Sequence, residues 1–80
     1  MTRPALEPVP IADAMIRLGQ LLKLAGVAED GASARLLLGE DAVRVNGEPE
    51  SRRGRQLVVG DEVDLDLPTG ARRLQVTSQS

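Results

Sequence analysis

The sequence predicts an α+β fold in which two short helices pack on a small, mostly antiparallel sheet. Apolar residues follow a helical period between residues 18 and 38, and an alternating, strand-like period from residue 43 onward. Helices that precede the strands, rather than alternate with them, favour a helical layer against one face of an antiparallel sheet. The 80 residues leave room for one compact domain.

Residues 1–10 are predicted to be an extended or disordered lead outside the folded unit. They contain Pro4, Pro8 and Pro10 and show little periodic apolar character. Proline fixes φ and removes an amide donor, and chain ends without buried contacts are often poorly ordered. We therefore expect a single domain over residues 11–77, a tail over 78–80, and little loss of stability when the lead is removed.

Two helices are predicted after the lead. The first has apolar residues at i, i+3, i+4 and i+7 spacing, namely Leu18, Leu21, Leu22 and Ala25. Gly26 follows where a helix end favours a left-handed residue. Asp30 can cap the second helix, which Gly39 would end, and its buried stripe would consist of Ala34, Leu37 and Leu38. Leu36 lies off this stripe, where contact with the first helix is favoured over a partner surface.

The strands begin with a hairpin. Val43 and Val45 have the alternation of a strand, and Asn46-Gly47 is typical of a type I′ turn, in which both central residues have positive φ. Because Pro49 has no amide hydrogen to donate, the return strand can only be brief. Further strands are expected over residues 57–59, 63–67 and 74–76, with turns at 60–61 and 68–70.

The composition excludes several classes of function. The chain has no Cys, His, Phe, Tyr or Trp. It therefore lacks disulfides, thiolate and imidazole metal ligands, histidine acid–base chemistry and aromatic platforms for stacking bases. The acidic residues 61–66 lack the ligand spacing of an EF-hand loop. We expect no metal, no cofactor and no enzymatic activity, in a cytoplasmic monomer that does not enter membranes.

The positive charge is concentrated in one segment, although the net charge of the chain is −2. The segment Arg52-Arg53-Gly54-Arg55 places three guanidinium groups on a predicted loop. Arginine can donate two parallel hydrogen bonds to one phosphate, so the loop suits a phosphate backbone. A solvated charge run, balanced by neighbouring glutamates, is an equally good interpretation of the composition alone. Other residues that could extend a positive surface are Lys23, Arg35 and Arg44.

The stretch from residue 17 to residue 63 resembles the family that carries the ribosomal S-four-type domain, also called the αL motif. The resemblance lies in LGQLLKLAG, in the second helix ending near LLLGE, in VRVNGE and in VVGDEV, taken in that order. It is strongest with the stand-alone branch, the YbcJ-like proteins of bacteria. In the larger family a Ser-Arg pair often opens the second helix, whereas this chain has Asp30-Gly31.

The resemblance implies an RNA-binding surface formed by the two helices and the adjoining hairpin. The RNA contacts that it favours are Lys23, Arg35, Arg44, Arg52, Arg53 and Arg55. It also implies structured RNA as the partner, with ribosomal or transfer RNA as the natural candidates. Recognition would rest mainly on phosphate geometry, because the deep groove of double-stranded RNA offers side chains little base information.

Two alternatives remain open at this point. A protein-interaction adaptor could use the leucine-rich helices or the basic loop to bind an acidic partner. A ubiquitin-like sulfur carrier shares the VNGE and GDEV segments, but such a carrier needs a terminal diglycine, and this sequence finishes with residues 77–80 as TSQS.

Overall fold

The computed structural model describes residues 4–79, and its elements have the predicted α+β arrangement. In chain order they are β1 (Leu6–Ile11), β2 (Met15–Arg17), α1 (Leu18–Leu24), α2 (Gly31–Gly39), β3 (Val43–Val45), β4 (Glu48–Pro49), β5 (Gln56–Val58), β6 (Glu62–Leu67) and β7 (Gly70–Ser78). A five-stranded sheet has the order β1-β7-β6-β3-β4, and a separate two-stranded sheet pairs β2 with β5. Within residues 4–79, no helix is long and apolar enough to cross a bilayer.

The two helices pack on one face of the larger sheet. All pairings in that sheet are antiparallel except the one between β1 and β7. The aliphatic core joins α1 and α2 to alternate residues of the strands, and its fully buried members include Leu18, Leu21, Leu22, Ala34, Val43, Val45, Leu57, Val63, Leu74 and Val76. With no aromatic residue, the core depends entirely on the packing of aliphatic side chains.

The helix ends follow the predicted capping chemistry. The Ala25 N–H donates to the Leu21 carbonyl at 2.9 Å, and Gly26 then takes a φ of 74°. At the start of α2, the Asp30 carboxylate accepts from the Ser33 N–H at 2.8 Å. The expected burial of Leu36 against the first helix is wrong, because Leu36 is 66% exposed.

The hairpin prediction is confirmed. Asn46 has a φ of 51° and Gly47 a φ of 85°, as a type I′ turn requires, and β4 is limited to two residues. The Asn46 side chain also holds the turn against β6. Its amide donates to the Asp61 carboxylate at 3.1 Å, and its oxygen accepts from the Glu62 N–H at 2.9 Å.

The amino-terminal boundary differs from the expected one. β1 (Leu6–Ile11) pairs in parallel with β7, and Val9 and Ile11 are buried in the core. Pro8 and Pro10 alternate with these residues and are exposed. Because β1 lies at the edge of the sheet, prolines can occupy it without removing a hydrogen bond from a central strand. The prolines therefore protect an edge instead of marking an unfolded lead.

The two-stranded sheet was not predicted, and it positions the arginine-rich segment relative to α1. Met15, Ile16 and Arg17 pair antiparallel with Val58, Leu57 and Gln56, respectively. The pairing brings the start of α1 beside the end of the arginine-rich segment. Residues about 40 positions apart in sequence, such as Ile16 and Leu57, therefore share one surface.

Candidate nucleic-acid interface

The arginine loop, residues 51–55, is fixed to the first turn of α1. The Leu18 N–H donates to the Arg55 carbonyl, and the Gly19 N–H donates to the Arg53 carbonyl, both at 2.9 Å. The first amides of a helix have no partner within the helix, so these carbonyls satisfy them. The loop backbone is thereby held at one place on the helix, although its side chains are largely exposed.

Glu50 organises the side chains of the loop. Its carboxylate accepts from the N–H groups of Ser51 and Arg52 at 3.1 Å each, and from the Arg52 Nε at 3.2 Å. Arg55 donates to the other oxygen at 2.8 Å. The Glu50 side chain is only 8% exposed, whereas that of Arg52 is 74% exposed. Glu50 thus orients two guanidinium groups from beneath and leaves the outer side of Arg52 open to solvent.

We predict that Glu50 makes stability sensitive to acid. Hydrogen bonds from Arg52, and then from Arg55, lower the pKa of Glu50 to about 2. Since the folded state holds the carboxylate charged, its stabilisation is complete above the ordinary pKa of 4.5 and is lost as the pH falls towards 2. Thermal unfolding between pH 6 and pH 2 should show a smaller decline in midpoint for Glu50→Gln than for the wild type. Parallel declines would contradict this role for Glu50.

A cleft opens between the two helices and the arginine loop. We call it the interhelical cleft; its volume is about 220 Å³, and it is lined by Arg17, Gly19, Gln20, Lys23, Gly31, Ala34 and Arg53. Gly19 and Lys23 are four residues apart on α1 and therefore share one helical face. Three cationic side chains, one of them from the loop, thus converge on one concave surface.

The basic side chains differ in how far acids neutralise them. Arg72 forms a pair with Glu7 at 2.7 Å, and Arg73 pairs with Glu62 at 2.9 Å and with Asp64 at 3.3 Å. Within residues 4–79, the basic residues without an ion pair are Arg17, Lys23, Arg35, Arg44 and Arg53. Two acidic residues of β6 are therefore neutralised by Arg73 of β7, on the sheet. The basic side chains beside the helices are largely left without an acidic partner.

The structure brings most of the predicted contact residues together. Lys23 and Arg53 share the interhelical cleft, and Arg52 and Arg55 adjoin it through the loop. Arg35 is exposed on α2, one turn beyond Gly31.

Arg44 does not belong to this group. It alternates with the buried Val43 and Val45, and it lines a different cavity, with Asp64 and Arg73. We expected Arg44 to extend the positive surface of the loop. The structure instead places Arg44 on a different surface, beside Asp64 and Arg73.

Sequence reasoning missed two participants, Arg17 and Glu50. Arg17 lies immediately before α1, so its charge next to a predicted helix start was an available signal. In the sequence, Glu50 is one of the neighbouring glutamates that balance the charge of the loop. Its burial could not be read from the sequence, since it depends on where the chain on both sides of Glu50 packs.

Comparison with known proteins identifies the family. The family model for the S4 domain matches residues 9–71, which is most of the chain. The chain belongs to the S4 domain family. This membership confirms the resemblance seen in the helices, the hairpin and the later VVGDEV segment of the S4 domain.

Two relatives of this S4 domain are similar over most of their length. A Bacillus subtilis (strain 168) protein named "Probable ribosome maturation protein RlbA" is 51% identical over 60 residues, covering 75% of this chain and 84% of that protein. An Escherichia coli (strain K12) protein named "Putative RNA-binding protein YbcJ" is 40% identical over 50 residues, covering 62% of this chain and 71% of that protein. This S4 domain is thus similar to small bacterial proteins of the YbcJ-like branch.

Proposed function

We propose that this protein binds structured RNA through phosphate contacts and catalyses no reaction. The observation that carries the proposal is the group of cationic side chains that line the interhelical cleft and the adjoining arginine loop. Arg53 and Lys23 face the interhelical cleft, and Arg52 has an open outer side above Glu50. The names of the two relatives, which refer to RNA binding and to ribosome maturation, support the same function.

The chemistry of this surface suits backbone geometry better than base sequence. Arginine and lysine donate to phosphate oxygens, and phosphate contacts position a protein without reading sequence. No aromatic side chain is available to stack on unpaired bases. We therefore favour a folded RNA, ribosomal or transfer RNA, in the cytoplasm.

Crosslinking in living cells tests the proposal directly. The protein should be irradiated in its native host, purified under denaturing conditions, and its attached RNA sequenced. We expect enrichment of a small set of structured RNAs over a size-matched control protein. Recovery of no RNA above that control would contradict the proposal.

A protein-interaction adaptor is the second candidate, and exposed apolar side chains favour it. Met15 and Val58 face each other across the two-stranded sheet and are exposed, as are Val59 and, on α1, Leu24. Solvent-exposed apolar groups gathered in one region are typical of protein contact surfaces. The same crosslinking experiment distinguishes the candidates, because an adaptor would retain protein partners and no specific RNA.

A further inference from the structure

Arg53 crosses from one helix to the other at two glycines. A β-carbon on Gly19 would lie 3.4 Å from the Arg53 Cβ, and one on Gly31 would lie 3.2 Å from the Arg53 Nη1. The Gly31 distance is tighter than ordinary van der Waals contact, and the Gly19 distance is at the lower limit of such contact. Larger residues at these positions would displace the Arg53 side chain from its place over the first turn of α2.

Gly39, also in α2, shows that this closeness is specific to the cleft. A β-carbon there would have no atom within 4 Å. Gly19 and Gly31 lie in the first turns of α1 and α2, where glycine in place of alanine costs less than the roughly 1 kcal/mol of a helix interior. In return, the loop and the Arg53 guanidinium can approach both helices.

The positive charges around the Arg53 guanidinium favour the binding of an anion. Arg17 and Lys23 line the same cleft from the side of α1, and Arg17 and Arg53 have no ion pair within residues 4–79. The nearby Asp30 carboxylate interacts with Lys23, but it is already engaged by the Ser33 N–H, which is the main reason that the pKa of Asp30 is lowered. Like charges held together repel one another, and a bound anion relieves that repulsion.

The size and lining of the cleft indicate which anion. Its volume of about 220 Å³ equals roughly seven water molecules at about 30 Å³ each, which leaves room for a phosphate group and some hydration. Its lining has two guanidinium groups and an ammonium group, which are donors only. The one side-chain amide, that of Gln20, has its oxygen engaged by the Arg17 N–H at 3.2 Å. The lining therefore suits phosphate oxygens and offers little to distinguish one base from another.

We propose that the interhelical cleft is a seat for a single phosphate group of the RNA backbone, bound jointly by Arg17, Lys23 and Arg53. This inference rests on the proposed RNA-binding function and adds to it the number of phosphates that these three residues bind, which is one. Three cations serve one phosphate, whereas the remaining basic side chains contact other phosphates one by one. Gly19 and Gly31 are then positioning residues, because they admit the Arg53 side chain to the seat.

The salt dependence of binding to a folded RNA hairpin measures this stoichiometry. Each phosphate neutralised contributes about 0.7 to 0.9 to the slope of log affinity against log salt. The triple variant Arg17→Ala/Lys23→Ala/Arg53→Ala should flatten the slope by about 1, although it removes three charges. Each single variant should weaken binding about tenfold, and the losses should be less than additive because the residues share one ligand. A change in slope of about 2 to 3, or no change, would overturn the single-phosphate seat.

A charge-neutral variant provides an independent test. Gly31→Leu fills the place of the Arg53 guanidinium and should weaken RNA binding about tenfold, whereas Gly39→Leu, in the same helix, should leave it unchanged. Both variants should remain folded, since leucine favours helix over glycine. Equal affinities for the two variants would contradict the seat. Absence of RNA binding by the wild type would instead refute the proposed function itself, and the seat with it.

Discussion

Deletion of residues 1–11 is expected to leave the protein largely unfolded at room temperature. The deletion removes β1, uncovers the edge of β7, and takes Val9 and Ile11 out of the core. Burying one such side chain contributes about 1.5 to 3 kcal/mol, and the whole core of a domain this small supplies only about 3 to 5 kcal/mol of net stability. The bidentate pair between Glu7 and Arg72 is lost as well. Circular dichroism and thermal unfolding would measure the effect.

Substitutions within β1 distinguish the effect of losing core side chains from the effect of shortening the chain. Val9→Asp/Ile11→Asp places two charges in the core and should mimic the deletion. Pro8→Ser/Pro10→Ser changes the alternate, exposed residues of the same strand and should alter stability by no more than about 0.5 kcal/mol per site. A deletion variant that melts within a few degrees of the full chain would show that β1 is not part of the folded unit.

Removal of charge from the arginine loop should produce the largest loss of RNA affinity. Each hydrogen bond to a charged group contributes about 1.5 to 3 kcal/mol, so replacing Arg52, Arg53 and Arg55 by Gln should weaken binding at least 100-fold, or about 2.7 kcal/mol. Glu50→Gln must accompany these changes. Otherwise the variant would keep a nearly buried carboxylate without its two partners and would be destabilised for that reason alone.

Glu50→Gln alone is the matched control for the loop variant. It retains all three arginines, so the loss of affinity caused by removing their charge is the difference between the loop variant and Glu50→Gln, once both are shown to be folded. Filter binding or fluorescence anisotropy at one fixed salt concentration gives the comparison. If the loop variant retained wild-type affinity, the loop would be a solvated surface and the adaptor would become the better explanation.

Local patterns account for the part of the fold that the sequence predicted. The spacing of Leu18, Leu21 and Leu22, the cap at Asp30 and the Asn46-Gly47 turn each depend on residues close in the chain. Their structural consequences follow from backbone geometry and short-range hydrogen bonds, so they could be read without knowing the tertiary structure.

The features that were missed depend on contacts between distant residues. β1 pairs with β7 about 67 positions later, as in the register of Leu6 with Arg73, and β2 pairs with β5. The exposure of Leu36 reflects what the rest of the chain leaves uncovered, since its own helix gives no indication of it. Hydrophobic periodicity predicts which residues favour burial, but it does not say which partner will bury them.

In the candidate site, too, local features were predictable and contacts between distant residues were not. The density of arginines between residues 52 and 55 was visible in the sequence. The participation of Arg17 follows from the β2–β5 pairing and from the loop carbonyls on α1, and the separation of Arg44 follows from the pairing of β3 with β6, which places Arg44 opposite Asp64. Charge density was therefore predictable, and the surface on which each charge lies was not.

Mapping the RNA footprint on the protein by NMR tests directly whether RNA binds at the two helices and the arginine loop. A folded RNA hairpin would be titrated into the labelled protein while backbone amide and arginine side-chain signals are followed. If RNA binds at the helices and the arginine loop, the largest changes fall in residues 17–23, 31–35 and 51–56, and Asp64 and Arg73 on the outer face of the sheet change little. Changes concentrated around Asp64, Arg73 and Arg44, with the arginine loop unaffected, would contradict it.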